Sequence, residues 1–225
     1  MSLIRSLWAG FVANHASICR KPCGALHELT VTTTNLQGSP VSQAVVTISG
    51  ATLTGWPHSG EDEVDQVNTQ FVPHVLVVPV DTAVSFPNSD NTRHQVYSFS
   101  AVKRFSTNLF SGREAEPVQF DQPGLVPIGC NIHDRMHAYI YVTNAPRYAI
   151  TDEQGVARFS DLPAGDYQVE ALHPWQIEPG TTQHALVIKD ADTEANLNLG
   201  RIGPDPRAER AQKFNPLIRS NPLAR

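Results

Sequence analysis

Cys130, His133 and Met136 fall three residues apart in one heptad, Cys130-Asn131-Ile132-His133-Asp134-Arg135-Met136, and His94 lies far upstream. Together they offer one thiolate, two imidazoles and one thioether. Thiolate and thioether suit the cuprous ion and imidazole accommodates the cupric ion, so the set tolerates both oxidation states. A trigonal His₂Cys set with a weak axial Met is the ligand set of a blue-copper electron-transfer site. The intervals between ligands are too short for a helix to aim all three side chains at one point. They suit a tight loop between two β-strands, with His94 delivered by another strand. A lone Cys is otherwise a small buried hydrophobe; beside His and Met at ligand spacing, a metal explains it better. Zinc, or a carrier of cuprous ion only, is the alternative occupant.

The elements available to position such a loop are strands. Nearly every strong segment alternates with period two, and turn residues recur at short intervals. Leu29–Thr33, Ala44–Ile48, Phe71–Val80, Ala83–Phe86, His94–Phe99 and Met136–Val142 read as strands. Pro73 and Pro79 place the third of these at an edge or a strand end. Leu36–Pro40 and Pro87–Asn91 read as turn and loop. Past Pro146, strands at Val156–Phe159, Tyr167–Ala171, His184–Lys189 and Asn196–Leu199 alternate with turns at Thr151–Gly155 and Leu162–Asp166. The fold class is all-β.

The chain has 225 residues, 40% hydrophobic and 17% charged, with 14 Gly and 17 Pro, which fits a turn-rich globular β protein. A formal net charge of −5 and the lack of a basic stripe argue against nucleic acid as a partner. No apolar run reaches the roughly 18 residues of a spanning helix, so no membrane span is expected. Residues 1–25 read as an export leader: Arg5, then the apolar Leu7–Ala13, then small residues at Cys23-Gly24-Ala25, although Asn14, His15, Arg20 and Lys21 interrupt it. Residues 201–225 form a basic tail, with six Lys/Arg against two Asp/Glu. It reads as a flexible arm, with a short helix around Pro206–Phe214 and docking to an anionic partner as the second use.

Other chemistry is poorly supported. His137 sits beside Met136 on an outgoing strand and is expected to point the other way. His74 reads as a packed or surface residue, and His15, His27, His58, His173 and His184 share no ligand spacing. There is no second His-rich centre of the kind a multicopper oxidase or nitrite reductase needs. G-x-S-x-G, H-E-x-x-H and phosphate-binding glycine loops are also missing. Glu61-Asp62-Glu63 reads as a solvated loop. Arg93, Lys103, Arg104, Arg113 and Arg135 fall in segments near the ligands, where they could steer an acidic partner; the nearby Glu114, Glu116, Asp121 and Asp134 favour plain surface charge.

Two resemblances organise these pieces. The D-x-x-G turn at Asp152–Gly155 and Leu162-Pro163-Ala164-Gly165-Asp166-Tyr167 resemble the second half of a transthyretin-like, or carboxypeptidase-regulatory-like, β-sandwich. Leu29–Ile48 resembles its first half. This implies one sandwich split in sequence, residues 26–50 plus 147–200, with a ligand-bearing domain at 51–146 inserted between its strands. Two independent β-domains are the alternative. Phe71-Val72-Pro73, Val84-Ser85-Phe86-Pro87-Asn88 before His94, and Gly124 followed by Ile128-Gly129-Cys130 resemble the wording of cupredoxins. The short loop C-x₂-H-x₂-M is similar to that of amicyanin-like members, whereas the loops of plastocyanin-like members often run longer. From about residue 27 to 200 the chain also resembles exported bacterial proteins of the methylamine utilization family.

The cupredoxin resemblance implies a Greek-key β-sandwich or barrel holding one mononuclear type 1 copper. His94 would supply the first imidazole, Cys130 the thiolate, His133 the second imidazole and Met136 the axial ligand. It implies a non-enzymatic carrier of single electrons between redox partner proteins in the periplasm. Copper delivery or sensing in the cell envelope is the alternative, and a structural envelope protein that keeps only the fold is a third. Four positions depart from the family pattern: Gln95 stands where Asn commonly fastens the ligand loop, Ala138 where Gly is common, and Arg135 and His137 flank Met136 with polar groups.

Overall fold

The computed structural model describes residues 25–55, 62–112, 116–178 and 182–205. The leader with Cys19 and Cys23, the tail helix, Glu61, Arg113, Glu114, His15 and His58 lie outside the described residues. No helix occurs among the described residues; the structure is all-β.

Seven strands from the two ends of the chain pair with one another. They are β1 (Leu26–Thr34) and β2 (Val45–Ser49), then β12 (Arg147–Ile150), β13 (Val156–Pro163), β14 (Gly165–Leu172), β15 (Thr182–Ile188) and β16 (Thr193–Asn198). One sheet runs β13-β1-β16 and the other β12-β2-β14-β15. Alternation directs Leu29 and Val31 of β1, and Tyr167, Val169 and Ala171 of β14, into a shared core with Ile48, Phe159, Leu162 and Leu197. Burying each large apolar side chain contributes roughly 1.5–3 kcal/mol.

The nine strands between them build a second core. They are β3 (Asp65–Val67), β4 (Gln70–Val72), β5 (Val75–Pro79), β6 (Thr82–Val84), β7 (Tyr97–Phe99), β8 (Arg104–Ser106), β9 (Val118–Phe120), β10 (Gly124–Cys130) and β11 (His133–Thr143). The main sheet runs β5-β11-β10-β7-β8, with β3-β4 and β6-β9 as two short ladders. Phe86, Phe120, Val126, Ile128, Cys130, Met136, Ile140 and Val142 share this core.

Strand β11 serves two faces. Met136, Ala138, Ile140 and Val142 point into the second core. Tyr141, of opposite parity, packs like Tyr148 and Leu172 against the cluster of Val45, Val75 and Val77, where the two groups of strands meet. The rings of His137 and Tyr139 both lie edge-on to His74, which also meets Trp175.

Three of the segments expected from sequence take a different form in the structure. Phe71–Val80 is two strands, because Pro73 has no N–H to offer a ladder. The chain changes partner there, from β3 antiparallel to β11 parallel, and the Val72–Pro73 peptide is cis. The turn expected at Leu162–Asp166 shrinks to Ala164 between β13 and β14. The strand expected from His94 begins only at Tyr97; His94 itself forms an isolated bridge with Phe110, by backbone bonds of 3.0 and 2.9 Å.

Candidate metal centre

The β10–β11 hairpin carries the centre. Its register runs regularly from Gly124↔Val142 to Gly129↔His137, then jumps so that Cys130 pairs with His133. Asp134, Arg135 and Met136 are the surplus on the β11 side. The jump turns His133 back beside Cys130 across the two-residue turn Asn131-Ile132, while Met136 returns to the core face with 2% exposure.

His94 reaches the same place along a loop held from inside. The Gln66 side-chain amide donates to the carbonyls of Phe86 (3.2 Å) and Pro87 (2.9 Å). Buried Asn88 donates to the carbonyls of Thr92 and Phe110, both at 2.9 Å, and its Oδ1 accepts the Asp90 N–H at 3.0 Å. Gln95 fastens the other side, donating to Ser106 Oγ at 3.0 Å and the Thr107 carbonyl at 2.8 Å. The longer amide thus performs a tethering job of the kind that the family resemblance assigns to Asn.

Three side-chain atoms converge. Cys130 Sγ lies 3.7 Å from His94 Nδ1 and 3.6 Å from His133 Nδ1, and the two Nδ1 atoms are 3.1 Å apart. A triangle with these sides has a centre about 2.0 Å from every corner, the length of a metal–nitrogen bond. His94 is fully buried and Cys130 is 4% exposed, while His133 is half-buried at the edge. Two nitrogens and one sulfur around one point match the trigonal set suited to copper, and the sulfur and buried nitrogen are shielded from water. No other such cluster of His, Cys, Asp or Glu is found among the described residues. Met136 packs in the same apolar core as Cys130.

Asp90, which the sequence placed only in a loop, lies behind His94. Its Oδ2 is 3.0 Å from His94 Nε2 and accepts the Thr69 N–H at 2.7 Å. The Thr69 bond first, then His94, hold the Asp90 carboxyl below its ordinary value. A carboxylate accepts only, so Nε2 carries the hydrogen and the Nδ1 lone pair faces the cluster. The one signal in sequence was an acid four residues before His94 in a loop rich in Asn and Ser.

The remaining candidates lie elsewhere. The edge-on contact with His74 places the His137 ring on the face of β11 opposite Met136. His74 is buried, and His173 bonds the Ser42 carbonyl at 3.1 Å. His184 is exposed on β15, and His27 is buried on β1. Arg93, Arg104, Asp134 and Arg135 are exposed.

No protein-family model matches the chain, and no curated protein matches it. Among solved structures, a purple cupredoxin from Nitrosopumilus maritimus is similar over 36% of this chain and 98% of its own, at 18% identity and a TM-score of 0.34. A mutant amicyanin in its reduced Cu(I) form is similar over 44% and 98%, at 19% identity and a TM-score of 0.35. A copper-containing nitrite reductase from Thermus scotoductus is similar over 50% of this chain and 28% of its own, at 23% identity and a TM-score of 0.36.

Proposed function

We propose that the chain is a periplasmic one-electron carrier with a single type 1 copper, held by His94, Cys130 and His133 with Met136 as the weak axial ligand. The observation that carries this reading is the convergence of Cys130 Sγ and two Nδ1 atoms at mutual distances of 3.1–3.7 Å. Bound copper would supply reversible one-electron chemistry. The chain's residues hold the donors in place: the hairpin turn sets Cys130 against His133, Asn88 and Gln95 tether the loop that delivers His94, and Asp90 fixes its tautomer. A site whose donors need not move on electron arrival favours fast transfer. Half-buried His133 gives a redox partner protein the shortest approach, across the exposed Asn131 and Ile132.

The reading is of a carrier and not an enzyme. Its seven outer strands form a transthyretin-like sandwich, with the ligand-bearing unit inserted between β2 and β12. Among the described residues no helix is long and apolar enough to cross a membrane.

The test is cupric titration of the purified apoprotein, followed by visible absorption. An intense thiolate-to-copper band at one equivalent, reversible on reduction and lost in Cys130→Ser, is the expected result. A colourless adduct would sink the electron-transfer reading and leave delivery or sensing of cuprous ion.

A further inference from the structure

Two nitrogens of one fully buried ring face opposite ways. His94 Nδ1 belongs to the Cys130–His133 triangle, and Nε2 ends on Asp90 Oδ2 at 3.0 Å. The carboxylate is itself pinned. Oδ2 accepts the Thr69 N–H at 2.7 Å, Oδ1 accepts the Asn91 N–H at 3.1 Å, and the Asp90 backbone N–H is tied to Asn88 Oδ1 at 3.0 Å. Thr69 belongs to the turn between β3 and β4, with φ of +57°, so a second loop holds the acid against the ligand loop. The Asp90 side chain is 12% exposed and that of His94 is not exposed, so water screens their interaction little.

We infer that Asp90 is a positioning residue that backs His94 with a full negative charge and thereby favours the cupric over the cuprous state. This rests on the copper reading. A neutral acceptor would fix the same tautomer. An anionic one also draws on the Nε2–H, raises electron density at Nδ1, and adds a charge one ring away from the metal. The oxidised ion carries one more positive charge than the reduced ion and gains more from both effects. The bond that orients the ligand therefore also lowers the reduction potential of the site.

The test uses the full-length protein and its Asp90→Asn variant, in which the amide oxygen still accepts the Nε2–H but the charge is gone. Cupric and cuprous affinities are measured by competition with chelators, with absorption and potential recorded on the same samples. In Asp90→Asn the thiolate band persists, cupric affinity falls about tenfold and cuprous affinity stays, which raises a one-electron potential by about 59 mV. An unchanged ratio of the two affinities, or an equal fall in both, overturns the role of the charge. Wild-type protein with no thiolate band fails the copper reading itself, a result distinct from either. Should Asp90→Asn not fold, Asp90→Glu and Asp90→Gln, equal in length and different in charge, provide the same comparison.

Discussion

At the scale of single residues, the centre divides labour between donors and the groups that aim them. Cys130, His133 and Met136 lie close in sequence because one hairpin carries them, which is why the ligand pattern could be read without coordinates. His94 was legible through the family wording around it. Asp90 was not: an acid in a polar loop has many possible partners, and only the path of that loop past Thr69 selects His94. Met136 would be the weakest donor of the four, since a thioether binds weakly. Met136→Leu is expected to keep the thiolate band, because the trigonal donors remain. Loss of a sulfur donor to an apolar group favours the less charged ion. Cupric over cuprous preference falls on the order of tenfold, or about 59 mV upward in potential. Spectroelectrochemistry of the variant checks this, and loss of the band would reassign Met136 from axial to essential.

At the scale of elements, alternation predicted most strands because each has one face in a core. It failed where backbone geometry decides. Pro73 split a run whose apolar pattern was continuous, and the bulge at Cys130 cannot be seen in side-chain type at all. The turn at Asp152–Gly155 shows what such geometry demands. Asp152 Oδ1 accepts the N–H groups of Gln154 and Val156, both at 2.9 Å, and Gly155 takes φ of +73°. A Cβ there would lie 2.6 Å from the Thr33 carbonyl oxygen and 2.9 Å from the Val41 nitrogen. Gly38 has a similar φ of +79° but open space around it. Gly38→Ala is therefore expected to cost about 1 kcal/mol from conformation alone, and Gly155→Ala about 3 kcal/mol, as steric strain adds to it. Urea midpoints of the two variants separate the contributions; equal losses would remove the steric one.

At the scale of the whole molecule, stability depends on a buried titrating group just past the end of β14. His173 is 4% exposed, bonds the Ser42 carbonyl and packs against Trp175. Burial pushes its pKa down to about 4, against the opposing pull of the Ser42 bond and of Asp205. The unfolded chain therefore binds a proton that the folded chain refuses between pH 6.5 and about 4. Stability from this residue is fully present above pH 6.5 and is lost as pH falls through that window, by about 3 kcal/mol. Denaturant unfolding at pH 7.5 and 4.5 should show the loss in wild type and a smaller one in His173→Gln. Equal losses in the two proteins would contradict it. None of this was visible in sequence, where His173 was one of several scattered histidines.

The pairing Ile48↔Arg147 joins β2 to β12 at the point where the chain departs for the ligand-bearing strands and returns from them. A hairpin turn could stand there; instead everything between these two residues hangs from that position. The ladder acts as a non-covalent cross-link at the neck of a long loop, holding its ends together. Closing a loop costs chain entropy that grows slowly with its length. Once the outer strands have formed, the ligand-bearing strands are spared that cost. Fraying of the neck would return it to them, so the integrity of a remote ladder becomes part of what keeps His94 and Cys130 together.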